Sequence, residues 1–231
     1  MTPAPRRLAR QLVVLDCDGT LVDSQQAIVQ AVQDALAACG QPPTTRARIL
    51  RSYGVPPDAA MQLYAPAANA AQRRELIRAW QDATRALERQ DDRGQVLFAG
   101  MRDLVTSLAE DAETMLGIVT MRSRKGLERV LNFYELADCF RVARTADDGP
   151  AKPAPDLLLD AMRQCNAPPE ATVMVGDTHY DMQMARAAGA HALGVAWGYQ
   201  DSADLLEAGA AEVLDTPLAL LQFLRRRAWQ G

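Results

Sequence analysis

Residues 11–24, QLVVLDCDGTLVDS, constrain the fold more than any other stretch. Leu12 to Leu15 form a short apolar run rich in Val and Leu, which suits a strand buried on both faces of a parallel sheet. Asp16 stops that run abruptly. Asp16 and Asp18 are two apart, so an extended backbone sends both carboxylates to the same side. Gly19 and Thr20 turn the chain, and Ser24 can cap the helix that follows. Two carboxylates at the end of a buried strand repel each other, and desolvation raises the pKa of at least one. A divalent cation relieves the repulsion, and oxygen-only ligands suit Mg²⁺. An isolated D-x-D is most simply an acidic turn. D-x-D-G-T directly behind an apolar strand points instead to a working pair.

DCDGTLVDS resembles the first motif of the haloacid dehalogenase superfamily, in its phosphatase branch. The resemblance implies that Asp16 attacks phosphorus and becomes an aspartyl-phosphate, and that Asp18 is the general acid and base. A carboxylate on Mg²⁺ is a competent nucleophile. A neighbour held apart in pKa can shuttle a proton.

Three further stretches carry the resemblance. Met115 to Val119 reads as an apolar strand ending at Thr120, similar to the second motif. The Thr120 hydroxyl and nearby backbone N–H groups can hold phosphate oxygens. Many relatives have Asn at the next position; Met121 leaves its backbone N–H but removes a side-chain contact. Arg122 and Arg124 are expected in solvent, with a hold on phosphate as the alternative. KPAPD, from Lys152 to Asp156, closely resembles the third motif. Pro153 and Pro155 set an extended approach to a helix starting at Asp156. The Lys152 ammonium can bridge Asp16 and the incoming phosphate. GDTHYD matches the fourth motif, GDxxxD. It implies that Asp177 ligates Mg²⁺ directly and that Asp181 acts indirectly on the metal or through Lys152. An acidic helix N-cap is a further role for Asp181. The metal set is thus Asp16, Asp18 (through its backbone carbonyl), Asp177 and Asp181. His179 fills a variable place in the motif and is expected to face solvent or the insert.

Between Ser24 and Leu97 the pattern is helical throughout. Ile28, Val32, Ala35, Leu36 and Cys39 make one stripe that Gly40 ends. Thr44 or Thr45 caps a short helix toward Tyr53, and Gly54, Pro56 and Pro57 interrupt it. Asp58 caps a turn through Leu63. A longer helix carries Leu76, Ile77, Trp80, Thr84 and Leu87, and Asp91, Asp92 and Gly94 end it. This stretch is too long for an ordinary connection. In the resembling family such a cap closes over the active site, selects the substrate and excludes water. Arg48, Arg51 and Tyr53 are the candidates for contacting the leaving group, since Arg suits a carboxylate or a second phosphate.

Downstream, strands are expected at Phe140–Ala143, Thr172–Val175, Ala192–Val195 and Val213–Leu214. His191 falls in the loop before the third of these. Helices are expected around Leu205 and Leu206 and along Leu218, Leu221 and Leu224. The expected fold is α/β: a doubly wound, mainly parallel Rossmann-like sheet in residues 1–22 and 97–231, with a helical cap in 23–96.

Composition narrows the function. A net charge of −4 argues against nucleic acid as partner. No apolar run approaches the length of a membrane span, and the start is no convincing signal peptide. Cys17, Cys39, Cys139 and Cys165 lack zinc spacing and read as reduced thiols of a cytoplasmic protein. Cys17 should point away from the aspartates flanking it. The motifs together imply Mg²⁺-dependent hydrolysis of a small phosphorylated metabolite, phosphoglycolate among the candidates, by a monomer or homodimer. Asp18 argues against a dehalogenase, and a cap without lysine argues against a phosphonate hydrolase. A sugar-phosphate mutase and a non-catalytic phosphate-binding protein are the alternatives.

Overall fold

The computed structural model describes residues 10–53, 55, 57–90 and 95–227. Its main sheet contains β1 (Gln11–Leu15), β4 (Thr114–Val119), β5 (Val142–Arg144), β6 (Thr172–Gly176), β7 (His191–Val195) and β8 (Glu212–Leu214). Their spatial order is β5-β4-β1-β6-β7-β8, and every pairing is parallel. The chain runs outward from β1 through β4 to β5, then returns to β6 on the other side of β1. The connections therefore diverge at the carboxyl end of β1, where α/β sheets open a crevice.

The alternation of β1 divides the core into two layers. Val13 and Leu15 pack with α5 (Met101–Ala109), α6 (Arg124–Phe133) and α10 (Pro217–Arg226). Leu12 and Val14 face α7 (Asp156–Cys165), α8 (His179–Ala187) and α9 (Ser202–Glu207). Cys17 keeps the parity of Val13 and Leu15, so it lies in the first layer, away from Asp16 and Asp18. Burial there pushes its thiol pKa up and keeps it protonated.

A third apolar cluster is separate from both. Val32, Leu36, Ile49, Met61, Tyr64 and Leu76 bring together α1 (Gln25–Ala38), α2 (Arg46–Arg51), α3 (Pro57–Tyr64) and α4 (Ala70–Gln90). This is the helical cap. It leaves and rejoins the sheet domain through a two-stranded antiparallel ribbon, β2 (Val22–Asp23) and β3 (Val96–Leu97). The ribbon was not expected, because two residues per strand are too few to show an alternating pattern. The domain boundary we propose, at 22/23 and 96/97, falls between its two rungs, Val22 with Leu97 and Asp23 with Val96.

Several local expectations need correction. Ser24 does not cap α1; its hydroxyl turns to the charged carboxylate of Asp18, and Asp23 Oδ1 accepts the Gln25 N–H instead. Residues 151–154 form a turn rather than an extended approach, closed by the Ala154 N–H on the Ala151 carbonyl, with a cis Lys152–Pro153 bond. β5 starts at Val142, and His191 opens β7. Leu218 is 64% exposed in the first turn of α10, while Leu220, Leu221, Phe223 and Leu224 form the buried face. Gly54, Pro56, Asp91, Asp92 and Gly94 lie outside the described residues. Among the described residues no helix is long and apolar enough to cross a membrane.

Candidate active site

Asp16 sits where β1 ends, its N–H donated to the Val175 carbonyl of β6. The chain then folds tightly on itself. The Leu21 and Val22 N–H groups both donate to the Cys17 carbonyl, and Gly19 takes a φ of +83°. Gly19 is needed for space as well as conformation. A Cβ there would lie 2.1 Å from Asp177 Oδ2.

Asp177, at the end of β6, is wedged from the other side by Gly198, whose Cβ would lie 2.1 Å from the Asp177 Cβ. Asp177 Oδ1 accepts from the Thr20 hydroxyl at 3.1 Å, and Oδ2 from the Tyr199 N–H at 2.9 Å. Burial, and then the charges of Asp16 and Asp181, push its pKa well up against these donors.

Lys152 lies 2.8 Å from Asp16 Oδ1 and donates to Asp181 Oδ1 at 2.6 Å. Burial alone would lower the ammonium pKa, but the two carboxylates outweigh it and leave it above its ordinary value. For Asp16 burial dominates over the pull of Lys152 and raises the carboxyl to about 7. Asp181 Oδ2 accepts the N–H (3.2 Å) and hydroxyl (2.7 Å) of Thr178, and its own N–H donates back to Thr178 Oγ1, a reciprocal cap at the start of α8. Asp181 thus caps the helix and anchors the lysine together.

The carboxylates of Asp16, Asp177 and Asp181 can place oxygens within 4.8 Å of one another. Lys152 is the one cation that pairs with this buried group among the described residues. The surplus negative charge and the oxygen-only donors fit a hard divalent cation such as Mg²⁺. Lys152 engages Asp16 as well as Asp181, and Thr20 and the Tyr199 N–H engage Asp177. We propose that Asp16 and Asp177 face the ion while Asp181 keeps its hold on Lys152 and Thr178.

Asp18 is held apart from this group. Its carboxylate accepts from the Ser24 hydroxyl and from both arms of Arg122, with Arg122 Nε at 2.9 Å from Oδ2. The expectation that Arg122 lies in solvent is overturned, since its side chain is only 8% exposed. A charged partner 104 residues earlier in the chain draws it inward. Arg124 points elsewhere, to Asp148 and the Ala143 carbonyl. Thr120 is buried at the end of β4, its Oγ1 accepting the Arg122 N–H at 3.2 Å, which leaves the hydroxyl proton to donate. Met121 follows at the surface, 37% exposed.

Of the cap candidates the structure brings Tyr53 to this place. Its ring meets Tyr199 edge-on at 5.3 Å. Burial, and next the charge of Asp18, pushes its hydroxyl pKa well up. Arg48 and Arg51 are exposed on α2, and neither pairs with a site carboxylate among the described residues. His179 is half-buried, with its backbone N–H and ring Nδ1 both on Gln200 Oε1.

The family profile of haloacid dehalogenase-like hydrolases matches residues 13–195. The chain belongs to that family. As a haloacid dehalogenase-like hydrolase it is 30% identical to the phosphoglycolate phosphatase of Synechococcus elongatus, over 92% of this chain and 96% of that protein. It is also 30% identical to the tyrosine-protein kinase PtkA of Mycobacterium tuberculosis, over 93% of this chain and 71% of that one. A solved haloacid dehalogenase-like hydrolase from Streptococcus pneumoniae superposes with a TM-score of 0.82, over 93% of this chain and 98% of that one at 24% identity, and shows the same fold.

Sequence reasoning weighed Arg122 as a solvent residue or a phosphate contact and did not foresee its pairing with Asp18. It missed Tyr199, which touches three residues of this hydrolase's site: its N–H holds Asp177, its hydroxyl accepts the Ser24 N–H at 3.0 Å, and its ring meets Tyr53. The available signal was AWGY, a glycine between two aromatics just behind an apolar strand.

Proposed function

We propose that the protein is a Mg²⁺-dependent phosphatase that hydrolyses a small phosphate monoester through an aspartyl-phosphate on Asp16. The observation that carries this reading is the division of the carboxylates. Asp16 is buried against Lys152 and Asp177, while Asp18 is held separately by Arg122 and Ser24. This division supports a reading in which one carboxylate receives the phosphoryl group and the other handles protons.

Asp16 and Asp177, with the backbone carbonyl of Asp18, would hold Mg²⁺. When bound, the ion supplies positive charge against Asp16 and the phosphoryl oxygens. The Lys152 ammonium offsets charge on Asp16 and on the transferring group. The Thr120 hydroxyl and the Met121 N–H donate to phosphoryl oxygens. An Asp16 oxygen bonds to phosphorus as the ester O–P bond breaks, and Asp18 protonates the leaving oxygen. Asp18 then takes a proton from water, whose oxygen bonds to phosphorus as the Asp16 O–P bond breaks. Inorganic phosphate leaves. Tyr53 of the cap, with Arg48 and Arg51, is assigned to the leaving group. Four unpaired cysteines support a cytoplasmic location as part of this reading.

Phosphoglycolate is the first substrate to test, on the name of one relative. A kinase relative at the same identity shows why a panel is needed. Phosphate release should be measured from phosphoglycolate, sugar phosphates, nucleotides, pyrophosphate and a phosphotyrosine peptide, with Mg²⁺ and with chelator. Chelator-sensitive release that disappears in Asp16→Asn supports the reading, and the ranking names the substrate class. Release that survives in Asp16→Asn removes Asp16 as nucleophile.

A further inference from the structure

Arg122 has no part in the scheme above, yet it is the most firmly placed cation near Asp18. Its N–H donates to Thr120 Oγ1, and its carbonyl accepts the Ala146 N–H at 3.0 Å. The backbone is thereby pinned to the end of β4 and to the loop that delivers Lys152. From there the guanidinium forks onto Asp18, Nε to Oδ2 and Nη2 to Oδ1, in a pocket that leaves it 8% exposed. A buried guanidinium at such a site loses more in desolvation than a solvated one, so its place next to Asp18 asks for a role.

We propose that Arg122 is the positioning residue for Asp18 in the second half of the reaction, aiming its carboxylate at the water that hydrolyses the aspartyl-phosphate. The inference rests on the phosphatase reading. The geometry carries it. Asp18 Oδ1 accepts from Arg122 and Ser24, and among the described residues Oδ2 accepts from Arg122 alone. A carboxylate has about four lone-pair directions on its two oxygens, so one on Oδ2 is left to accept a proton. A two-point guanidinium contact fixes the carboxylate plane, which one donor cannot do. In this step the water oxygen bonds to phosphorus, the Asp16 O–P bond breaks, and the water proton passes to Asp18 Oδ2. Phosphate leaves and Asp16 is restored.

The first half differs. An ester with a weakly basic leaving group, such as p-nitrophenyl phosphate, departs without needing a proton from Asp18. Loss of Arg122 should then slow the second half far more than the first. The full chain with Mg²⁺ is mixed rapidly with p-nitrophenyl phosphate, as wild type, Arg122→Ala and Arg122→Lys. Nitrophenolate is followed in time, and the acyl phosphate is trapped in acid.

Arg122→Ala should release a burst of nitrophenolate stoichiometric with the chain. A steady phase on the order of tenfold or more slower than wild type should follow, with trapped phosphoenzyme, as expected for a misaimed base. Arg122→Lys keeps the charge without the fork and should fall between the two. It also guards against a general loosening of the site by alanine. A role confined to packing would slow both phases alike and trap no phosphoenzyme in either variant; that outcome overturns the proposal. Wild-type turnover without this change in phases counts against Arg122 alone. A wild type that releases no phosphate from any compound in the panel removes the phosphatase reading and this inference with it.

Discussion

The sheet domain and the cap meet at one site but contribute to it in different ways. On the sheet side each charged group is buried and tied to another element. Asp16 and Asp181 share Lys152, Asp177 is wedged between Gly19 and Gly198, and Asp18 is forked by Arg122. On the cap side Tyr53 reaches in, while Arg48 and Arg51 stand exposed on a six-residue helix. The cap also has an apolar core of its own and joins the sheet domain through a ribbon two residues long. Phosphoryl transfer requires the same fixed charges whatever the leaving group, so its residues gain from burial and mutual restraint. Selection of a leaving group needs only a few contacts made when a substrate arrives. On the proposed function this contrast would put chemistry in the sheet domain and specificity in the cap, and mutations can set the two against each other.

The largest effect is expected at Asp16. Asp16→Asn should lower kcat on the best substrate by on the order of 10³-fold or more while the fold persists, because no other carboxylate near Lys152 is free of a structural duty. Comparable residual activity in the variant would break the comparison at its root. Gly198→Ala comes next. A methyl 2.1 Å from the Asp177 Cβ must displace either the loop or the carboxylate. Overpacking of this kind costs about 1–3 kcal/mol. Thermal unfolding should show that loss, and the stabilisation by Mg²⁺ should shrink at the same time. An equal methyl at Gly40, where no atom lies within 4 Å of the added Cβ, tests only backbone strain at its φ of +64° and should leave the Mg²⁺ effect intact.

A third expectation concerns pH. Burial raises the Asp16 pKa from 3.8 to about 7 in the metal-free protein. A carboxyl with a raised folded pKa binds its proton more tightly when folded. Its contribution to stability is full below about pH 4 and is lost as pH rises through about 7. The metal-free protein should therefore lose melting temperature between pH 5 and pH 8 beyond what Asp16→Asn loses. Mg²⁺ has to displace that proton at low pH, so its stabilising shift should be larger at pH 8 than at pH 5. Calorimetry at both values, with and without Mg²⁺, checks the sign. A larger shift at pH 5 would mean that Asp16 does not face the ion.

What was legible in the sequence follows the same divide, for a physical reason. The apolar runs of β1, β4 and β6 and the acids just behind them are local signals, since strand end, turn and charge occur within a few residues. The interlocks are not local. Arg122 lies 104 residues from Asp18, and Tyr199 lies 175 residues from Ser24, so nothing beside either one announced its partner. Ser24 looked like a helix cap because serine after a turn usually is one, but donating its hydroxyl to the Asp18 carboxylate turns its oxygen away from the helix N–H groups it would have accepted. The cap helices were legible from their stripes. The reciprocal contact of Asn69 with Gln72 at the start of α4 was hidden behind the more conspicuous Pro66.

The smallest effects are expected in the cap, and they sharpen the comparison most. Arg48→Ala and Arg51→Ala remove exposed side chains, so stability should change by no more than about 0.5 kcal/mol. If either arginine meets an anionic leaving group, KM should rise on the order of tenfold for substrates carrying a second anion, such as phosphoglycolate, with kcat kept. An aryl phosphate without that anion should be turned over as before. Tyr53→Phe separates the two sides further, because it keeps the ring against Tyr199 and removes only the hydroxyl that feels Asp18. A change confined to KM places the hydroxyl with the cap and its choice of leaving group. A fall in kcat on every substrate, the aryl phosphate included, places it with Asp18, and the line between chemistry and specificity then runs through the cap rather than beneath it.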